Sequence, residues 1–325
     1  MDSIFIHIFI GLIGILLMRY GALMLTKGAT ALSASSNFSG IHIGLTVVAL
    51  GTSIPEVCVS FISVYKESEE LAFGTIIGSN TFNIVFGLGI SSLIINIRVL
   101  SKNIWRDTVF ALGSGCLLFL LLNKKLFFHS ETNYLTPYDT IILIGYLITY
   151  YLIIFASSKN KKEIYLIKKI PKGLIRHHYI SRDIIVGLLI IAAGAYISVI
   201  EALLLSEYTV LSPRFIGVSI MAICTSLPEI TTTIAVMKRK RQDIAFGNIM
   251  GSYIINFLVA PSILTIKGPI AYDYTLNYDL SFSVLICMLC AFLSLSSRYL
   301  RLNKVASVLL LTLGILYYFT TYLRG

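Results

Sequence analysis

Apolar residues along the chain gather into long stretches divided by short polar segments. The stretches run roughly over 4–26, 42–65, 72–96, 108–128, 138–157, 183–206, 214–237, 244–266, 278–296 and 305–322. Crossing about 30 Å of hydrocarbon takes about 20 apolar residues in a helix, so each stretch has the length of a membrane span. The pattern predicts an all-α membrane protein with ten transmembrane helices. The first stretch has no basic n-region and no A-x-A cleavage site and leads into further spans, so it reads as a retained helix rather than a signal peptide.

Composition supports the same solvent. Of the 325 residues 56% are hydrophobic and 13% are charged, too few charges to clothe a water-soluble globule of this size. The net charge of +10 raises the question of a nucleic-acid partner, but the basic residues alternate with the loops. With the N-terminus outside, 19 Lys and Arg fall in inner loops and 6 on the outer side, with Arg19 inside a span. That asymmetry is the positive-inside bias, which places both termini outside and makes the lipid bilayer, not nucleic acid, the expected partner. The basic segment between Ser157 and Arg182 also suits anionic headgroups. An acidic outer turn carries Glu67, Glu69 and Glu70; a solvated turn explains it as well as a cation-gathering entrance does. Cys58, Cys116, Cys224, Cys287 and Cys290 all lie in spans without zinc-site spacing and read as packing residues.

An internal repeat organises the chain. GLTVVALGTSIPE (Gly44–Glu56) and GVSIMAICTSLPE (Gly217–Glu229) share six of thirteen positions at an offset of 173 residues. GTIIGSNTFN (Gly74–Asn83) and GNIMGSYIIN (Gly247–Asn256) keep that offset, and so do Gly21-Ala22 and Gly194-Ala195. Chance likeness among apolar helices does not preserve one register over three spans. The expected organisation is a first repeat over 1–156, a basic cytoplasmic linker over 157–182 and a second repeat over 183–325. Five spans is an odd number, so the second copy runs upside down relative to the first. Inverted repeats of this kind carry the substrate sites of secondary transporters near the midplane, on interrupted helices.

Pro55 and Pro228 are repeat equivalents well inside their spans. Proline gives no hydrogen bond to the carbonyl four residues earlier, which frees the backbone around Gly51 and Thr52 and around Cys224 and Thr225. Bare carbonyls at membrane depth need burial or a wet cavity, and a cation suits them. Glu56 and Glu229 follow those prolines directly. A carboxylate at the bilayer centre costs about 2.5–3.5 kcal/mol on insertion scales, so two in symmetric positions mark a functional site. A protonated glutamate bridging two helices is the structural alternative. No Lys, Arg or His lies at the same depth, which leaves metal ions or protons to neutralise the pair. Asn83 and Asn256 each lie 27 residues beyond their glutamate, across a turn, at matching depth; Ser79 and Ser252 share their helix face one turn earlier. Gly74, Gly78, Gly247 and Gly251 form small-xxx-small patterns for close helix approach. Carboxylates, carbonyls, hydroxyls and amides make a hard-cation donor set, suited to calcium or sodium.

At these residues the chain resembles the calcium/cation antiporter superfamily, specifically the sodium/calcium exchangers and their bacterial relatives. The likeness spans all ten stretches and rests on the paired GTS-x-PE and GS-x-x-x-N motifs. The resemblance implies that Glu56 and Glu229, with the carbonyls of Thr52 and Thr225, bind calcium. Sodium sites would draw on the same glutamates with Ala49, Ser53, Ser79, Ala222, Ser226 and Ser252, and Asn83 and Asn256 would take the central position. It also implies that the first and sixth helices slide past a fixed core. Some relatives carry an aspartate at one of the two asparagine positions, and in the potassium-dependent branch such an acid is tied to potassium use; here both are asparagine, which argues against potassium co-transport. Cys224 stands where the first repeat has Gly51, adding bulk beside the broken turn. The GNA-x-E motif of proton/calcium exchangers does not occur.

The expected function is secondary antiport of Ca2+ against Na+ by alternating access, with inorganic cations as the transported species and no cofactor. A proton/calcium antiporter using the same glutamates is the nearest alternative, and a glutamate-lined channel a further one. Enzymatic readings fail for want of partner residues in the spans: His7 and His42 lie near span ends, and His129, His177 and His178 lie in loops. The simplest location is a bacterial inner membrane, and two complete repeats make a monomer sufficient.

Overall fold

A computed structural model describes residues 2–33, 48–94, 97–129, 132–157, 177–238, 242–295, 299–302 and 304–324. Gly44–Val47 of the first repeat motif, His42, most of the 157–182 linker, Arg239 to Arg241 and Arg298 lie outside the described residues. Nine helices among the described residues are long and apolar enough to cross a membrane, and the shorter apolar helix Ala49–Tyr65 is the tenth. The chain is a multi-pass membrane protein of ten helical spans in two inverted five-helix repeats.

The first repeat comprises spans Asp2–Ser33, Ala49–Tyr65, Glu69–Phe82 continued through a π-helical segment Asn83–Leu88 to Ile94, Ser101–Leu122, and Pro137–Ser157. The second comprises His177–Tyr208; Pro213–Ile216 continued through a π-helical segment Gly217–Met221 into Ala222–Thr225 and Leu227–Lys238; Gln242–Leu264; Asn277–Leu295; and Lys304–Leu323. Local chemistry starts several of them. Pro137 and Pro213 sit at the first turn, where a missing N–H costs nothing. Ser212 caps its helix by accepting from the Phe215 N–H at 3.1 Å. Thr136 and Asp139 form a reciprocal capping box, Thr136 N–H to Asp139 Oδ2 at 2.7 Å and Asp139 N–H to Thr136 Oγ1 at 3.4 Å. The fourth span ends at Leu122, short of the stretch read from the sequence, because Asn123 leaves the helix to exchange a reciprocal pair of side-chain hydrogen bonds with Asn277 at the start of the ninth. Lys124–Phe128 follows as a separate short helix.

Packing follows the repeat. The third and eighth spans are 89% and 83% buried, against 22–33% for the first, fifth, sixth and tenth, so the former are wrapped by protein while the latter face lipid. The second span packs on the eighth as the third packs on the seventh, and the fourth on the eighth as the ninth on the third. The first and sixth spans lie against each other along most of their length. They meet through glycines. A Cβ on Gly14 would sit 2.8 Å from the Gly194 carbonyl oxygen, and one on Gly21 would sit 2.7 Å from that of Gly187. Gly14 and Gly187 are 173 residues apart, as are Gly21 and Gly194, so the contact is reciprocal about the pseudo-two-fold axis. The axis passes near the Asn80 amide, which donates to the carbonyl of Tyr253, its own repeat equivalent, at 3.1 Å.

Two short ladders in the connecting loops obey the same symmetry, a feature that the apolar stretches did not announce. β1 (Ile97–Leu100) pairs antiparallel with β4 (Tyr299–Leu302), and β2 (Tyr134–Leu135) pairs with β3 (Ile270–Ala271). Ile97 stands opposite Leu302, and its repeat equivalent Ile270 stands opposite Leu135. The first ladder joins the loops between spans three and four and between nine and ten; the second joins their inverted counterparts, at the other membrane face.

Candidate cation site

The twelve residues singled out in the sequence converge between the second, third, seventh and eighth spans. Ala49, Ser53, Glu56, Ser79, Asn83, Ala222, Thr225, Ser226, Glu229, Ser252 and Asn256 are fully buried, and Thr52 nearly so. Pro55 lies inside a helix that runs on without a break, so the first repeat opens its backbone less than expected. In the second repeat the helix stops at Thr225, Ser226 takes ψ −3°, and the helix resumes at Leu227. A π-helical segment precedes that break, and Val48, the equivalent of Met221, is also π-helical. An extra residue per turn leaves carbonyls poorly matched, which suits a ligand site.

Hydroxyls cross between repeats. Ser53 Oγ donates to Glu229 Oε1 at 3.3 Å and Ser252 Oγ to the same oxygen at 3.4 Å. The single Thr52 hydroxyl proton has three acceptors in reach: the Ala49 carbonyl at 3.3 Å, Asn248 Oδ1 at 3.4 Å and Ser252 Oγ at 3.4 Å. Across the axis Ser79 and Thr225 lie 3.0 Å apart, and each reaches the Ala222 carbonyl at 3.4 Å. Ser226 reaches the Ser79 carbonyl at 3.5 Å, not Glu56.

Most of these spacings exceed the 2.7–2.8 Å that O–H···O bonds prefer. Adjacent oxygens held about 2.4 Å from one cation at right angles would stand about 3.4 Å apart, a spacing close to several of these. The unsatisfied atoms point the same way. Both carboxylate oxygens of Glu56, Oε2 of Glu229, both side-chain polar atoms of Asn83 and Oδ1 of Asn256 are buried without a hydrogen-bond partner. Neither glutamate forms an ion pair with Lys, Arg or His among the described residues. Buried native groups are nearly always paired, and a buried charge far more so, so this set of unpaired atoms marks a candidate ligand site. A cluster of three or more His, Cys, Asp or Glu does not occur among the described residues, so the remaining donors are neutral oxygens.

Two residues of the site escaped the repeat comparison. Asn80 accepts from the Asn256 amide at 3.1 Å through Oδ1 while donating to Tyr253, and Asn248 donates to the Glu229 carbonyl at 3.2 Å and to Thr233 Oγ1 at 3.1 Å. Their equivalents are Tyr253 and Thr75, so a search for shared letters passes over both; an asparagine inside an apolar run was the available signal. Gly51 and Cys224 also part company. A Cβ on Gly51 would lie 2.9 Å from Leu25 Cδ2 and 3.1 Å from Thr26 Oγ1 of the first span, so those side chains would have to shift to admit one. Cys224 instead lines a cavity of about 370 Å3 between the first, sixth and seventh spans, with His7, Gly11, Ser198, Glu201 and Met221 on its walls. His7, placed by the sequence near a span end, makes a hydrogen bond with Glu201 at 2.7 Å there.

Known proteins share this architecture. The family model described as sodium/calcium exchanger protein matches residues 6–156 and 184–323. The inner membrane protein YrbG of Escherichia coli strain K12 is 29% identical over 295 residues, covering 86% of this chain and 87% of the relative. The putative antiporter CaxA of Alkalimonas amylolytica is 27% identical and the sodium/calcium exchanger MaX1 of Methanosarcina acetivorans 24% identical, the first over 91% of each chain and the second over 78% of this chain and 81% of its own. Among solved structures the sodium-calcium exchanger NCX_Mj superposes with a TM-score of 0.69 at 23% identity, covering 96% of this chain and 98% of that one.

Proposed function

Because the chain belongs to the sodium/calcium exchanger family, we propose that it is a secondary antiporter that carries calcium across a membrane against sodium, using Glu56 and Glu229 as the shared charge. The observation that carries this reading is the convergence of two fully buried carboxylates, neither paired with a Lys, Arg or His among the described residues. Two negative charges balance one Ca2+ or are divided among Na+ ions, so occupancy by one species excludes the other and couples the flows. Calcium takes six to eight oxygens. Glu56, Glu229 and the carbonyls of Thr52 and Thr225 would form its core, and the Ala49 and Ala222 carbonyls, Ser53, Ser226, Ser79, Ser252, Asn83 and Asn256 would complete it or hold sodium.

Alternating access finds support in the unequal halves. On the first-repeat side Leu25 and Thr26 close over Gly51. On the second-repeat side the equivalent Cys224 faces a cavity toward the end that carries the N-terminus. Exchanging these arrangements between the halves would carry access from one face to the other. One chain holds the whole site, so a monomer suffices, and the excess of basic residues in alternate loops supports both termini outside the membrane.

Purified protein in liposomes loaded with sodium should accumulate radiolabelled calcium when diluted into sodium-free medium, saturably and only with sodium inside. Uptake that follows an imposed pH gradient and ignores sodium would replace sodium with protons in this reading. Flux without any counter-ion would make the protein a channel and end it.

A further inference from the structure

Inverted repeats carry a symmetry argument about sidedness. If the two halves were identical, exchanging their conformations would convert the outward-facing state into the inward-facing one with no change in energy, and the site would have equal affinity at both faces. Any difference between faces must come from positions where the halves differ. Among the described residues beside the site, such positions include Gly51 with Cys224, Asn80 with Tyr253, and Thr75 with Asn248.

Asn248 is the one that bridges the halves beside a glutamate. Its amide donates to the Glu229 carbonyl at 3.2 Å and to Thr233 Oγ1 at 3.1 Å, tying the broken seventh span to the eighth. Its Oδ1 lies 3.4 Å from the Thr52 hydroxyl of the other repeat, competing with Ala49 and Ser252 for that proton. The equivalent residue, Thr75, spends its hydroxyl on the Leu71 carbonyl of its own helix at 2.7 Å. It reaches no glutamate. The carboxylates are also held differently: Glu229 Oε1 accepts from Ser53 and Ser252, whereas the Thr225 and Ser79 hydroxyls stand beside Glu56 at longer range.

We infer that Asn248 is a positioning residue that makes the exchanger lopsided: by bracing Glu229 and Thr52 in one half only, it sets calcium half-saturation at one membrane face apart from that at the other. The bridge has no counterpart across the axis, so it enters the energies of the two exchanged states unequally. A residue needed only for folding would scale activity at both faces alike.

The inference rests on the transport reading, and the test separates them. Half-saturating calcium is measured at each face, in right-side-out and inside-out vesicles, for wild type, Asn248→Thr, Thr75→Asn and the double swap. Asn248→Thr should bring the ratio of the two values at least threefold nearer to one, and the double swap should invert it. Thr75→Asn alone, which gives both halves the bridge, should also move the ratio toward one and serves if Asn248→Thr does not fold. Equal scaling at both faces, or an unchanged ratio in Thr75→Asn, overturns the inference. Wild-type vesicles that carry no calcium at all overturn the transport reading instead.

Discussion

Glu56 and Glu229 occupy symmetric positions and are held differently: the second accepts from two serine hydroxyls, while the first has the Ser79 and Thr225 hydroxyls beside it only at longer range. What they share is burial without a Lys, Arg or His partner among the described residues, and that dictates how charge removal behaves. Replacing either with glutamine should cut sodium-driven calcium uptake to the background leak. The same variants, stripped of ions in detergent, should melt at or above the wild-type temperature, since an uncompensated buried charge has gone. Retained uptake in either variant, or a sharp fall in melting temperature, would mean that the glutamates hold the fold together rather than the cargo. These two residues were legible because an acid in an apolar stretch stands out, and because both follow a proline at one offset. Asn80 and Asn248 were not legible by that route, since the repeat changes letter at each. The buried Asp279 was hidden for a different reason: its partners Arg214, Tyr317 and Arg324 come from the start of the seventh span and the end of the tenth, which only the closed bundle brings together.

Between elements, backbone proximity decides more than side-chain volume. The first and sixth spans cross at Gly14 with Gly194 and Gly21 with Gly187, where each carbonyl occupies the place a side chain would need. Neighbouring lipid tails are as apolar as leucine, so such close packing is what holds two spans together in a membrane. Gly187→Leu would set its Cβ 2.8 Å from the Gly21 carbonyl and 2.9 Å from the Leu25 nitrogen, both backbone atoms that yield only if a helix moves. Overpacking of this kind costs about 1–3 kcal/mol. The melting temperature in detergent should fall, and Gly145→Leu, where nothing lies within 4 Å of the added carbon, should leave it unchanged. Equal stability of the two variants would mean that the seam is looser than described. The spans themselves were plain from apolar length, but not their ends. Asn123 stops the fourth by pairing with Asn277, a residue 154 positions away. The fifth and tenth spans were also out of register with the rest: Tyr150 and Tyr317, which occupy matching places, are 167 residues apart rather than 173, the difference being the loop that holds Lys124–Phe128.

At the scale of the molecule, orientation rests on loop charge. Glu67, at the exposed turn after the second span, and Lys304, at the start of the tenth, lie at opposite faces. Glu67→Cys should react with a membrane-impermeant maleimide in intact cells, and Lys304→Cys only after the membrane is opened. The reverse pattern would turn the whole topology over while leaving the fold intact. The repeat made the bundle foreseeable as two inverted halves, but not the ladders that clasp its two faces, because short pairings in loops leave no periodic trace. Those ladders carry a message about origin. In each, the strand that precedes the fourth or ninth span finds its mate only in the other half. A half-length forebear would therefore have had an orphan edge at both ends, unless two copies inserted in opposite orientations and clasped one another. Fusion of such a dual-topology dimer into one gene would have kept the handshake and freed each half to drift, so that Thr75 and Asn248 became different letters on the same scaffold.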